Sequence, residues 1–150
     1  MTPIPRAALF LGLFGLVPFF WGALTALVPA LHGWGMNAAG PRFVWPDVSL
    51  TYGTVILAFM SGVLWGFAAR TESRTATAGY VLSVIPALWA FFLVSGDPVS
   101  ATIYLAAGFV GLLGLDFLFW WQGLAPIWWM QLRLLLTTGV LICLCIPILA

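Results

Sequence analysis

Long apolar stretches, separated by short clusters of charge, glycine and proline, set the layout of this chain. A helix needs about 20 mostly apolar residues to cross a bilayer. Five stretches meet that length, at about 7–31, 51–69, 77–94, 100–121 and 128–149. The pattern predicts an all-α integral membrane protein, a bundle of five transmembrane helices forming a single polytopic domain over 1–150.

The spacers refine the picture. A charged lead, Thr2-Pro3-Ile4-Pro5-Arg6, followed by an apolar run imitates a secretory signal, but the run exceeds a signal core of 7–15 residues and reads as a retained span. Pro18 is expected to kink it and free a carbonyl that a neighbouring helix must satisfy. His32–Ser49 reads as the only sizeable loop, broken by glycine and proline, with Trp34, Phe43 and Trp45 suited to the headgroup zone. Asp47 or Ser49 is placed to cap the next helix. Arg70–Thr75 is a polar turn, Pro86 interrupts the third span, Ser95-Gly96-Asp97-Pro98 is a tight turn with N-cap chemistry, and Gly123-Leu124-Ala125-Pro126 turns the chain before the fifth span.

The second span is predicted to be the hub. Thr51, Thr54, Ala58, Ser61, Gly62 and Gly66 recur along one flank and read as a groove for close helix packing. Gly108, Gly111 and Gly114 form a second such face on the fourth span. Two faces exceed the need of one five-helix bundle, so one is expected to meet another integral membrane protein or a second copy.

Composition agrees. Hydrophobic residues make up 63%, charged residues 6%, and mean hydropathy is +1.13. A soluble domain carries about 25% charge, so this chain has too little to cover a surface in water. Membrane lipids are the expected surroundings. The net charge of +1 leaves no basic patch for nucleic acid. Cys143 and Cys145 lie two apart on a helix and point to different sides, which disfavours a bridge. Arg6, Arg70, Arg74 and Arg133 fall on or near one side and Arg42 on the other, which predicts a cytoplasmic N-terminus and a periplasmic C-terminus. Trp120, Trp121, Trp128 and Trp129 flank the fourth turn as interface anchors.

Asp116 and Arg133 are the ionisable residues inside predicted spans. They lie symmetrically about Leu124–Ala125, so an antiparallel hairpin brings them to one depth, each five residues inside its flanking tryptophan. An uncompensated charge deep in a span costs about 2.5–3.5 kcal/mol, which pairing reduces. Arg133 is also placed to lie across Trp129. Three readings stand: a structural ion pair registering two helices; a pair lining a hydrated path; or two unrelated residues, with Arg133 snorkelling and Asp116 facing a partner. His32 is the lone histidine, which excludes a bis-histidine haem within one chain and disfavours zinc. Ser-His-Asp, Cys-His and phosphate-loop spacings are lacking, so no catalytic, cofactor-binding or metal-ligating residues are expected.

Several motifs resemble a known family. They are Leu11-Gly12-x-x-Gly15-Leu16-x-Pro18-Phe19, Tyr52-Gly53-x-x-Ile56-Leu57-x-Phe59-x-Ser61-Gly62-x-x-Trp65-Gly66, Ser83-x-x-Pro86-x-Leu88-Trp89 and Leu132-Arg133-x-x-Leu136-Thr137. Together they resemble the multi-span family called domain of unknown function 3429, whose members resemble mitochondrial transmembrane protein 69 and occur in proteobacterial inner membranes. The resemblance implies location and architecture, a multi-pass protein of the bacterial cytoplasmic membrane, and no catalytic residues.

The preferred expectation is a non-enzymatic accessory, assembly or structural subunit packing within larger inner-membrane complexes, respiratory or photosynthetic in kind. The alternative is a small oligomeric proton, ion or solute transporter or channel using Asp116 and Arg133, with Pro18 and Pro86 breaking helices at mid-membrane. A third reading is a lipid- or quinone-binding enzyme with Trp65, Trp89, Tyr52 and Tyr104 walling an apolar pocket.

Overall fold

The computed structural model describes residues 3–150; Met1 and Thr2, the start of the expected lead, lie outside the described residues. Among the described residues there is helix and no strand. Five helical stretches have spanning length and hydropathy: Arg6–Leu27, Asp47–Ala68, Arg74–Leu93, Pro98–Trp121 and Trp129–Leu149.

Proline cuts two of them. The first span is α1 (Arg6–Phe14) followed by α2 (Val17–Leu27), with the break just before Pro18. The third is α5 (Arg74–Ser83) followed by α6 (Ile85–Leu93), parted before Pro86. Each proline takes the first turn of its new helix, where a missing N–H costs nothing. At the second break Ser61 Oγ, from the neighbouring span, accepts the Ala87 N–H at 2.9 Å. At the first, no neighbouring side chain among the described residues bonds the freed carbonyl, contrary to expectation. Ser61→Ala removes the partner of a half-buried N–H in lipid and is expected to cost about 1–3 kcal/mol, read as a lower melting temperature in detergent.

The predicted loop His32–Ser49 is largely helical. Pro29 pushes Val28 into an extended conformation, ends the first span at Leu27 rather than Leu31, and starts α3 (Pro29–Ala39). Gly40, at φ +90°, stops it, and a short 3₁₀ turn follows at Pro41–Phe43. Docking outweighs the low helix propensity of this glycine-rich segment. The Trp21 indole N–H donates to the Phe43 carbonyl at 2.7 Å, and Trp45 N–H donates to Thr25 Oγ1 at 2.9 Å. Neither Asp47 nor Ser49 caps α4 (Asp47–Ala68), because the helix already begins at Asp47. Asp97 does cap α7 (Pro98–Trp121), accepting the Ser100 N–H at 3.0 Å.

Helix α4 is the hub, touching α2, α5, α6 and α7, while α8 (Trp129–Leu149) lies against α7 and α2. Phe19, Leu57, Leu64, Leu105, Phe109 and Leu112 fill the centre. Helix α1 stands apart from this core and leans on α8.

The small-residue faces do not turn as predicted. Ser61 is buried and Thr54 half-buried, but Ala58, Gly62 and Gly66 face outward, with open space where a Cβ would sit on either glycine. On α7, Gly108 is buried while Gly111 and Gly114 face outward in the same way. The close approaches are made at Gly108, as predicted, and at glycines outside the two faces. A Cβ on Gly108 would lie 2.8 Å from Trp89 and 2.9 Å from Leu57, and one on Gly79 would lie 2.9 Å from Ala68. Hydropathy assigns no inside to a membrane helix, because lipid and core are equally apolar.

Candidate functional site

Helices α7 and α8 form the hairpin that sequence symmetry predicts, joined through Gly123 at φ +75°. The Trp120 indole N–H braces the turn by donating to the Ile127 carbonyl at 3.1 Å. One helical turn past Trp129, Arg133 Nε donates to Asp116 Oδ2 at 2.7 Å. Asp116 Oδ1 accepts the Trp129 indole N–H at 2.9 Å, so both carboxylate oxygens are engaged. Trp129 thus serves the pair through its N–H and rests edge-on against Phe67, with ring centroids 5.1 Å apart. It is an inward ligand of the carboxylate, whereas Trp121 is 74% exposed, as an interface anchor would be.

Burial makes this pair costly to disturb. Asp116 is wholly buried and Arg133 is 5% exposed. In so dry a setting the two charges are tolerated because each offsets the other and hydrogen bonds take up the remaining lone pairs. One end is left open: Arg133 Nη2 is buried without a hydrogen-bond partner. So is the hydroxyl of Thr137, one turn further along the same face of α8.

Arg133 and Thr137 line a half-open cavity of about 500 Å³ between α1, α4 and α8. The break at Gly15–Leu16 carries α1 away from α4 and leaves the gap that α8 floors. Its other walls are almost entirely apolar, among them Phe19, Ile56, Met60, Phe109, Trp128 and Leu136. Leu11 and Phe59, exposed by 73% and 64%, border the opening toward the bilayer. Of the four aromatic residues expected to wall a pocket, Tyr52 alone lines this one. Trp65 and Tyr104 are 49% and 44% exposed, and the Trp89 indole donates to the Tyr104 carbonyl; none of the three lines the cavity. Helical spacing scatters those four around different faces.

The sequence reading missed Thr137 as a site residue. It stood in a quoted motif beside Arg133, and the i to i+4 spacing of two polar residues on an apolar helix was the available signal. Among the described residues no group of three His, Cys, Asp or Glu is placed to hold a metal. Cys143 and Cys145 are free thiols.

The sequence profile of a family described as "Protein of unknown function (DUF3429)" matches residues 4–149. The chain belongs to this family. Transmembrane protein 69 of Xenopus tropicalis is 32% identical to this member over 140 residues, covering 89% of the chain and 50% of the relative. This member therefore spans about half the length of that curated relative. No solved structure matches. The relative's name and the five spanning helices agree on a multi-pass helical membrane protein.

Proposed function

We propose that this chain is a non-enzymatic accessory or assembly subunit of a bacterial cytoplasmic membrane, packing laterally against other integral membrane proteins of larger complexes. One observation carries the reading. Ala58, Gly62 and Gly66 present a strip of small side chains on the outer face of the hub helix, where a Cβ at either glycine would meet nothing. Such strips let two helix backbones approach closely, and the bundle itself does not use this one. Arg6, Arg70 and Arg74 cluster at one end of the spans with Arg133 one turn inside it, which supports a cytoplasmic N-terminus.

Leucine at both glycines tests the reading. Gly62→Leu/Gly66→Leu is expected to melt as the wild type does while losing the membrane proteins that co-purify from native membranes in mild detergent. A wild-type chain that runs alone, or a leucine variant that keeps its full set of companions, overturns the proposal. The transporter alternative draws on the unpartnered nitrogen of Arg133, but the apolar walls around that nitrogen favour an amphiphile over a hydrated ion.

A further inference from the structure

The cavity between α1, α4 and α8 carries an inference independent of any protein partner. Along α8 it runs from Trp128 to Val140, and along α4 from Tyr52 to Phe67. At 1.5 Å per residue these are lengths of about 18 and 22 Å, so the cavity is a long slot parallel to the helices. Its volume of about 500 Å³ lies within the range of small-molecule sites. Its mouth faces lipid between Leu11 and Phe59. The shape and lining suit a flexible hydrocarbon chain entering sideways from the bilayer.

The polar end is specific. Arg133 and Thr137 are 5% and 1% exposed, and each holds an unpartnered polar atom in the residues that line the slot. An unsatisfied buried donor costs about 1–3 kcal/mol. A threonine inside a helix commonly bonds the carbonyl four residues back, yet here the hydroxyl is left free of any protein partner. Two unpartnered polar groups one helical turn apart on α8, in residues that line the slot, mark where a hydrogen-bond acceptor would be held.

Charge selects which acceptor. Asp116 already neutralises Arg133 through the 2.7 Å contact. A carboxylate or phosphate entering the slot would add an uncompensated negative charge in a dry, apolar setting, whereas a carbonyl oxygen accepts from the same donors without that cost. The depth agrees: the donors lie near the arginine-rich end, and the remaining slot leads toward Phe19 and Tyr52 deeper among the spans.

We propose that this slot binds a neutral, carbonyl-headed amphiphile, its carbonyl oxygen held by Arg133 Nη2 and Thr137 Oγ1 and its chain lying between α1 and α4. Two membrane sources share that chemistry, the ester carbonyl of a glycerolipid and the ring carbonyl of an isoprenoid quinone.

The test uses delipidated full-length protein and native mass spectrometry with three probes: an ester-linked phosphatidylethanolamine, its diether analogue lacking the carbonyls, and a decyl-chain benzoquinone. Wild type is expected to bind the ester lipid, the quinone or both about tenfold more tightly than the diether. Preference for the ester lipid identifies a glycerolipid site, and preference for the quinone identifies a quinone site. Thr137→Val keeps the side-chain shape and is expected to weaken that binding about five- to tenfold, while Thr137→Ser and the exposed-site control Thr138→Val retain it. Equal binding of ester and diether with no quinone bound, or binding unchanged in Thr137→Val, overturns the proposal.

Discussion

Asp116→Ala is expected to be among the most damaging single substitutions in this chain, lowering stability by about 3–5 kcal/mol. The variant leaves Arg133, 5% exposed, without its counter-charge, and it also orphans the Trp129 indole N–H. The loss therefore measures a buried unpaired charge rather than the net worth of the pair. Asp116→Leu combined with Arg133→Met removes both charges at similar volume and is expected to recover most of the stability, because a well-packed apolar pair replaces a buried ion pair at little or no cost. Thermal unfolding in detergent of Asp116→Leu, Arg133→Met and the double variant closes the cycle. Single-variant losses that simply add in the double would show that Asp116 and Arg133 do not stabilise one another.

Gly108→Leu is expected to come next, at about 1–3 kcal/mol or more, with Gly111→Leu close to wild type. The two positions lie three residues apart on α7 and differ in what a side chain would meet. At Gly108 a Cβ lands 2.8 Å from Trp89 and 2.9 Å from Leu57, and Trp89 cannot swing aside without breaking its 2.7 Å bond to the Tyr104 carbonyl. At Gly111 there is open space, which lipid fills. Melting temperatures of the two leucine variants, measured side by side, test this. Equal losses would mean that both glycines are enclosed.

These contrasts mark what the amino-acid sequence could and could not convey. Span number and approximate ends were legible because lipid demands unbroken apolar runs of fixed length. The Asp116–Arg133 pairing was legible too, since two charges equidistant from a short turn meet in an antiparallel hairpin. Rotation of each helix about its axis was not. In water a polar face points out and gives the orientation; in lipid no such contrast exists, so Gly62, Gly66 and Gly111 looked like contact residues as much as Gly108 did, although only Gly108 of the four makes a close contact, and Gly79 was passed over. Helix α3 was hidden behind three residues poor at helix formation, Gly33, Gly35 and Asn37, whose cost is offset by docking on Trp21 and Val44. The slot was invisible for a different reason. It exists because α1, ahead of the break at Gly15, stands away from the bundle that α2 enters, and such angles are set by tertiary contacts that no local pattern encodes.

The lopsided support of α1 bears on the order in which the molecule takes shape as it leaves the ribosome. Its main neighbour, α8, lies far downstream, so α1 must wait in the bilayer through the synthesis of every intervening span. Asp116 faces a similar interval, shortened by the brief turn before Trp129. Entry of α7 and α8 together as one hairpin delivers the carboxylate already neutralised, and the same event gives α1 its resting place.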